Sequence, residues 1–144
     1  GIVGAATLKA LGMSTSNGSG SSSSSGTNTD GNLYLLARLV YGEARGEPYK
    51  GQVAVAAVVL NRVRSASFPN TIAGVIYQSG AFDAVSDGQI NLAPDDESIR
   101  AARDAMNGWD PSNGCLYYYN PATATSRWML SRPVLLRIGA HAFC

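Results

Sequence analysis

The residues best suited to chemistry lie in one short stretch, Tyr41-Gly42-Glu43-Ala44-Arg45-Gly46-Glu47-Pro48, between two apolar segments. It holds two carboxylates and one guanidinium where one helix must end and another begin. Acidic side chains beside so much apolar sequence are costly to bury unless they are exposed, paired or used in a reaction. The stretch is therefore the first candidate for a functional site, with Glu43 and Glu47 as candidate acids or bases.

Other common chemistries lack the residues they need. A metal site is disfavoured because no carboxylates cluster at ligand spacing, and the only histidine, His141, could join just Cys115 and Cys144 as soft ligands. No serine or cysteine nucleophile has a histidine base near it in sequence, and no glycine loop precedes a Lys-Ser or Lys-Thr pair. A carboxylate acid or base remains, and no cofactor is implied.

Glu43 suits the role of general acid because of where its helix places it. Apolar residues recur at helical spacing over residues 33–44, so Glu43, three residues after Val40, projects from the inward face before Gly46. Apolar neighbours and the negative end of the helix dipole both predict a raised pKa, which would let the carboxyl protonate a leaving group near neutral pH. The alternative, that Glu43 only pairs with Arg45 or caps a neighbouring segment, stays open.

Glu47 is the obvious second carboxylate, but its surroundings favour a structural role. A four-residue offset from Glu43 would suit an unbroken helix, yet Gly46 and Pro48 interrupt it. We therefore expect Glu47 to cap the following helix or to pair with Arg45. Weaker candidates for a second acid lie in a later Gly- and Ser-bearing loop: Asp83 and Asp87.

The apolar pattern of the segments that must position these residues predicts an α+β, mostly helical domain. Residues 33–44 form one amphipathic helix capped by Asn32, and residues 53–60 are apolar on every face, which is typical of a central helix. Shorter helices are expected near residues 71–78 and 95–107.

Two later runs, residues 116–119 and 134–138, favour strands that pair as a small antiparallel hairpin beside the helices. His141 is expected to be an ordinary strand residue near the terminus. A disulfide between Cys115 and Cys144 would tether the C-terminal strand, and two free thiols are the alternative.

The bulk properties exclude several classes of function. A chain of 144 residues with 45% hydrophobic content can bury one core. The net charge of +1 gives no field to attract nucleic acid or acidic lipid. No stretch approaches the roughly 20 apolar residues that a membrane helix needs, and the N-terminus has no signal-sequence pattern, so an export signal would lie upstream.

Five motifs occur in order from the candidate site to the chain's end: Gly42-Glu43-Ala44-Arg45-Gly46-Glu47-Pro48-Tyr49, Gly51-Gln52-Val53-Ala54-Val55-Ala56-Ala57-Val58-Val59-Leu60-Asn61-Arg62-Val63, Asp87-Gly88-Gln89-Ile90-Asn91, Tyr119-Asn120-Pro121-Ala122-Thr123-Ala124, and Arg132-Pro133-Val134 with Gly139-Ala140-His141-Ala142-Phe143. With them, residues 33–143 resemble the catalytic domain of the spore cortex-lytic enzymes, the SleB and CwlJ family of bacterial cell wall hydrolases. The resemblance implies a lysozyme-like fold in an exported protein that acts on spore-cortex peptidoglycan during germination.

The resemblance also implies a reaction, lytic transglycosylation between N-acetylmuramic acid and N-acetylglucosamine that leaves a 1,6-anhydro end. Glu43 matches the family's catalytic glutamate, which would protonate the glycosidic oxygen and then act as base toward the muramic C6 hydroxyl. One carboxylate suffices because the substrate supplies the nucleophile, whereas a hydrolase usually needs a second, at about 5–5.5 Å if retaining or about 6.5–9.5 Å if inverting. A hydrolytic muramidase, an amidase, or a non-catalytic peptidoglycan-binding germination scaffold remain alternatives.

Sugar binding requires aromatic platforms and amide groups, and the candidates lie in or near the family motifs. They are Phe82, Gln89, Tyr119, Asn120 and Trp128. The expected partner is the peptidoglycan glycan strand, with accessory germination proteins as further candidates, and the protein is expected to be a monomer.

Composition divides the chain into three parts. Residues 14–31 are almost wholly Ser, Gly, Asn, Thr and Asp, which leaves no apolar surface to offset the entropy of ordering, so they predict a flexible linker before a domain at residues 32–144. Residues 1–13 resemble the closing segment of a small three-helix peptidoglycan-binding module, although Ala5 stands where that pattern has proline. That arrangement is typical of the SleB branch of the family.

Overall fold

The computed structural model describes residues 22–144, and it confirms a mostly helical α+β domain with a small sheet. The helices are α1 (Ser22–Ala44), α2 (Tyr49–Arg64), α3 (Ile72–Ile76), α4 (Asp83–Ser86), a 3-10 turn (Gln89–Asn91), α5 (Asp96–Met106) and α6 (Arg127–Ser131). The strands are β1 (Tyr118–Tyr119), β2 (Leu136–Ile138) and β3 (His141–Phe143). The predicted remnant of a binding module at residues 1–13 and the start of the linker lie outside the described residues.

Helix α1 begins earlier than the sequence predicts. It starts at Ser22, inside the stretch predicted as linker, and Asn32 is an interior helix residue rather than a cap. Once a helical nucleus is fixed, each further residue adds a backbone hydrogen bond, so a packed helix can extend into sequence with little propensity of its own. The linker prediction therefore differs from the structure at residues 22–31, and the rest of the domain division stays a prediction.

Helix α2 is the centre of the domain, as its sequence predicts. Every residue from Gly51 to Leu60 is buried. One face of α1, with Leu36, Leu39 and Val40, and the alanines of α5 complete the main core around it. The last turn of α1, which carries Glu43, is thereby fixed against the interior.

The two shorter helices that the sequence predicts both begin at a side-chain cap. Thr71 Oγ1 accepts a hydrogen bond from Gly74 N at 2.9 Å at the start of α3. Asp95 Oδ1 accepts one from Ser98 N at 2.8 Å at the start of α5. Each cap satisfies a backbone donor that the first helical turn leaves free.

The sheet is antiparallel in the order β1-β3-β2, so the predicted hairpin between the two earlier runs is wrong. Strand β3 lies between them, with Phe143 opposite both Tyr118 and Leu136. The two-residue turn at Gly139 (φ +57°) and Ala140 folds β3 back onto β2. All three residues of β3, the middle strand, are buried. His141 is a strand residue, as predicted.

Candidate active site

Glu43 lies in the last turn of α1, with each carboxylate oxygen held by a donor from another element. Oε1 accepts a hydrogen bond from the Tyr118 hydroxyl at 2.6 Å, and Oε2 accepts one from Ala84 N at 2.8 Å. Tyr118 belongs to β1, and Ala84 lies in the first turn of α4. The half-buried carboxylate therefore joins three elements, and Glu43 does contact the start of a neighbouring helix, one of the alternatives that the sequence left open.

A glycine allows α4 to come this close to α1. A Cβ built on Gly42 would lie 2.7 Å from Ala84 Cβ, a distance that real side chains do not tolerate. The residue before Glu43 therefore sets the approach that brings the Ala84 N–H to the carboxylate.

Tyr118 is a partner of Glu43 that the sequence analysis did not single out from the predicted strand at residues 116–119. Its ring lies 5.0 Å from the His141 ring, 5.8 Å from Phe143 and 6.4 Å from Phe82, measured between centroids. Burial raises the pKa of Tyr118 well above its ordinary value, and the charge and hydrogen bond of Glu43 raise it further. The phenol therefore stays protonated and acts as a donor. A run of three tyrosines gives no local signal that would single out the middle one.

Glu47 holds the β2–β3 turn. Its Oε1 accepts a hydrogen bond from Ala140 N at 2.9 Å, and its carbonyl oxygen accepts one from Gln52 Nε2 at 3.1 Å. A structural role was expected, but the expected capping of α2 is wrong, since Pro48 occupies the N-cap without a side-chain cap bond. The turn at Gly139 approaches so closely that a Cβ there would lie 2.8 Å from Pro48 Cδ.

Arg45 and Gln89 form a bonded group beside the site. Arg45 Nη2 donates to Gln89 Oε1, and the guanidinium carbon lies 4.7 Å from the Tyr41 ring centroid. Gln89 Nε2 donates to Asp87 Oδ2 at 2.8 Å. Hydrogen bonds from the Gln89 backbone, and then from its side chain, hold the pKa of Asp87 below its usual range. The amide expected to contact sugar thus already has protein partners on both sides. Asp83 is exposed in the first turn of α4.

The other predicted sugar-binding residues differ in how far they are exposed to solvent. Phe82 is only 5% exposed and packs in the core. Tyr119 is half-buried in β1, and Asn120 Oδ1 accepts from Ala122 N at 2.9 Å within the following turn. Trp128 is 54% exposed on α6. The structure therefore brings Phe82 to Glu43 through Tyr118, and it places Trp128 at the surface.

Arg62 is a buried cation that the sequence reasoning also missed. Its guanidinium carbon lies 5.0 Å from the Phe68 ring centroid, 5.3 Å from Phe82 and 5.1 Å from Tyr117. Its Nε donates to Leu116 O at 2.7 Å, and burial lowers the pKa of the guanidinium from its ordinary value. Three aromatic faces and a carbonyl compensate the loss of water, and they link α2 to the segment that leads into β1.

The remaining titratable candidates are all buried, and one of them, Cys115, belongs to a second, smaller core. Cys115 and Cys144 are both buried and their thiols are free. Burial raises the pKa of Cys115, and the charges of Cys144 and Asp110 raise it further. Of the two alternatives left open by the sequence, the structure therefore has the free thiols and not the disulfide. Burial lowers the pKa of His141, and the negative charges of Glu47 and Glu43 oppose that shift.

Within residues 22–144, no three His, Cys, Asp or Glu side chains gather as a metal site. No helix in the same part of the chain has the length and apolar content that crossing a membrane requires.

Comparison with known proteins gives consistent matches over this domain. The cell wall hydrolase family model matches residues 46–144, beginning just after Glu43. Spore cortex-lytic enzymes of Bacillus cereus and Bacillus subtilis are 60% and 58% identical over 113 and 116 residues, which cover 78% and 81% of this chain. The matches cover 44% and 38% of those two proteins, so the chain spans less than half of their length. Cell wall hydrolase CwlJ of Bacillus subtilis is 33% identical over 80% of this chain and 85% of its own.

Two solved structures resemble the fold closely. The catalytic domain of the Bacillus cereus SleB protein superposes with a TM-score of 0.76 at 59% identity, covering 80% of this chain and 90% of that domain. The catalytic domain of the germination-specific lytic transglycosylase SleB from Bacillus anthracis superposes with a TM-score of 0.75 at 59% identity. That match covers 78% of this chain and 93% of the other domain.

The helical core and the small three-stranded sheet define this protein as a lysozyme-like domain. The sequence matches narrow that class to one family. The chain belongs to the cell wall hydrolase family of SleB and CwlJ.

Proposed function

We propose that this domain cleaves the glycan strands of spore-cortex peptidoglycan as a lytic transglycosylase, with Glu43 as its only proton carrier. The observation that carries the proposal is the placement of Glu43, half-buried at a helix end with both oxygens oriented by Tyr118 and Ala84. The names of the relatives, spore cortex-lytic enzyme and germination-specific lytic transglycosylase, support the substrate and the reaction.

The reaction needs one group that gives a proton and then takes one back. Glu43 protonates the glycosidic oxygen as the bond from the muramic C1 breaks, so the leaving sugar departs with a free hydroxyl. The carboxylate then accepts the proton of the muramic C6 hydroxyl while that oxygen bonds to C1, which closes the 1,6-anhydro ring and restores the acid. No water is consumed, and the proton count balances over the two steps.

The state of Glu47 supports a mechanism with one carboxylate. Its Oε1 is bonded to Ala140 N in the β2–β3 turn, so it already has a structural task. A hydrolase would need a second carboxylate free to act on water or on the sugar. Intramolecular attack by the substrate removes that need.

We further propose that residues other than Glu43 contact the glycan strand. Direct sugar contacts by Tyr119, Asn120 and Trp128 fit their partly or largely exposed positions, whereas Phe82 and Gln89 would support the site through packing and through Arg45. We also propose that the protein is exported to the cortex, works as a monomer and cooperates with accessory germination proteins.

The decisive experiment is product analysis with the Glu43→Gln variant. Purified cortex peptidoglycan treated with the unaltered protein should yield anhydro-ended saccharides by mass spectrometry. Glu43→Gln should lower the rate by at least about a thousandfold, because the amide cannot carry the proton. Asp96→Asn, on the exposed start of α5, is the matched control and should leave the rate unchanged.

Each alternative function gives a different product. Reducing muramic ends would indicate a muramidase, and released stem peptides would indicate an amidase. Binding to peptidoglycan without any cleavage would indicate a scaffold. Undiminished anhydro product with Glu43→Gln would exclude Glu43 as the proton carrier.

A further inference from the structure

The C-terminal quarter of the chain has a charge balance unlike the rest. Residues 111–144 contain no Asp or Glu, but they contain Arg127, Arg132 and Arg137, while the whole chain carries a net charge of only +1. Arg127 is the first residue of the short helix α6, Arg132 follows its last residue, and Arg137 lies in β2. This part of the molecule is therefore suited to an anionic ligand, although the protein as a whole is nearly neutral.

One of these arginines is stacked against two aromatic rings, and we name Trp128, Arg132 and Tyr117 the Trp–Arg–Tyr stack. The guanidinium carbon of Arg132 lies 4.8 Å from the Trp128 ring centroid and 4.6 Å from that of Tyr117. The two rings contact each other edge to face at 5.3 Å. These contacts restrict the arginine to few conformations, which lowers the entropy lost when it binds a ligand.

The stack leaves part of the arginine's binding capacity unused. Arg132 Nε is buried without a hydrogen-bond partner among the described residues, so the remaining donors of the guanidinium are those that a ligand would contact. A guanidinium that stacks on rings through its faces keeps its donors in the plane between them, and this planar fork matches a carboxylate. The chemistry of the stack thus favours a carboxylate over a neutral hydroxyl.

Apolar side chains are concentrated on the same segment. Half of the large hydrophobic residues that are exposed in the described chain fall between residues 128 and 135: Trp128 at 54%, Leu130 at 46%, Val134 at 37% and Leu135 at 67%. Single exposed apolar residues need no explanation, but a concentrated set is typical of a binding surface. An aromatic ring more than half exposed beside a cation can cover the face of a sugar while the cation binds an acid.

The stack is also connected to the candidate active site through packed side chains. Tyr117 lies 5.1 Å from the Arg62 guanidinium carbon, which lies 5.3 Å from Phe82. The Phe82 ring lies 6.4 Å from that of Tyr118, the residue that donates to Glu43. The stack is thus separated from Glu43 by only a few packed side chains, a short distance compared with the length of an extended glycan strand.

We propose that the Trp–Arg–Tyr stack is a binding subsite for the glycan strand, in which Arg132 binds a carboxylate of a muramic-linked peptide and Trp128 covers the adjoining sugar. The occupant is an acidic polymer of alternating sugars, and the charge balance of residues 111–144 and the arginine fork both complement it. This inference rests on the proposed function, since the same strand would have to reach Glu43.

The test measures binding separately from cleavage. All variants carry Glu43→Gln, and the probe is insoluble cortex peptidoglycan, used untreated or with its carboxylates converted to amides. Arg132→Gln should weaken binding to the untreated material roughly tenfold, because a charge-assisted pair is lost. Binding to the amidated material should be the same for Arg132→Gln and for the parent.

Two further variants make the result interpretable. Arg103→Gln, an exposed position on α5, changes the net charge equally and should bind like the parent to both materials. Trp128→Ala should weaken binding to both materials, and its exposed side chain makes it safe to remove if Arg132→Gln does not fold. Unchanged binding by Trp128→Ala would overturn the subsite.

The outcomes also separate this inference from the proposed function. Equal binding of Arg132→Gln and Arg103→Gln to untreated peptidoglycan would overturn the role of Arg132, as would an equal loss on amidated material. Failure of the unaltered protein to release saccharides would contradict the proposed function alone, because the binding measurements do not depend on cleavage.

Discussion

At the scale of single residues, the site depends on the donors that hold Glu43. Tyr118 and Ala84 each bond to one carboxylate oxygen, and neither donor is itself an acid or a base at neutral pH. Because both come from elements other than α1, the carboxylate keeps one orientation as long as those elements stay packed. Glu47, the nearest acid in sequence, bonds instead to Ala140 in the sheet. In the proposed mechanism, the orientation of a single acid thus replaces cooperation between two acids.

Tyr118→Phe tests the orientation directly. The ring contacts remain and the donor to Glu43 Oε1 is lost, so kcat for peptidoglycan cleavage should fall roughly tenfold to a hundredfold while KM changes little. Steady-state kinetics on soluble glycan fragments would measure both constants. Tyr77→Phe, at a half-exposed position outside both proposed sites, is the control, and an equal fall in kcat for both variants would show that the Tyr118 hydroxyl has no specific role.

The sequence predicted one half of this contact and not the other. Glu43 was predictable because helical periodicity places it on the inward face of α1, a property of neighbouring residues. Tyr118 lies 75 positions further along the chain and meets Glu43 only because β1 pairs with β3 in the observed register. A strand of two residues is too short for alternation to indicate which tyrosine faces inward.

At the scale of elements, the approach of α4 to α1 determines whether Ala84 can reach the carboxylate. Gly42 is the contact point, since a Cβ there would lie 2.7 Å from Ala84 Cβ. Helix α4 has only four residues, so it can shift slightly without unfolding the rest of the domain.

Gly42→Ala should therefore reduce activity more than stability. The added methyl group pushes α4 away and breaks the Ala84 N–H bond to Glu43, while the cost of overpacking, about 1–3 kcal/mol, is partly offset by the gain of about 1 kcal/mol from replacing glycine in a helix. Chemical unfolding and cleavage assays measure the two effects.

Gly31→Ala is the control in the same helix, because a Cβ there meets nothing within 4 Å. It should stabilise the protein by about 0.4–1 kcal/mol at unchanged activity. Full activity of Gly42→Ala would contradict the assignment of Gly42 as the residue that sets the approach.

At the scale of the whole molecule, a loop held by Asp110 joins the helical core to the sheet. Asp110 Oδ2 accepts from Gly114 N at 2.8 Å and from Asn61 Nδ2 at 3.0 Å, and the same Asn61 amide donates to Cys115 O. Burial acts to raise the pKa of Asp110, but hydrogen bonds from Ser112, Asn61 and Gly114 outweigh it and lower the pKa below its ordinary 3.8. Helix α2 is thus linked to the segment that leads into β1.

The lowered pKa predicts acid sensitivity of this link. A group whose pKa is lower in the folded state stabilises the fold above its unfolded pKa, and that contribution is lost as the pH falls through the folded value. The free energy of unfolding should therefore decrease below about pH 4. Asp110→Asn should lack this part of the slope and be less stable at pH 7 by about 1 kcal/mol, since the side chain is only half buried.

Urea unfolding between about pH 2.5 and 7 measures the effect. Asp96→Asn, at an exposed position on α5, serves as the control and should retain the slope. If Asp110→Asn and the parent had parallel pH profiles, the hydrogen bonds of Asp110 would have no net effect on the titration.

The sequence by itself determined the properties that depend on neighbouring residues. These are the buried central helix α2, the starts of α3 and α5, the end of α1 before Gly46, and the inward face that carries Glu43. The tertiary structure decided what each candidate contacts: Tyr118 and Ala84 for Glu43, Ala140 for Glu47, and β3 between the two predicted strands. The physical reason is that periodicity and capping act within a few residues, whereas these contacts join positions 41 to 93 residues apart and depend on strand register and on close helix packing.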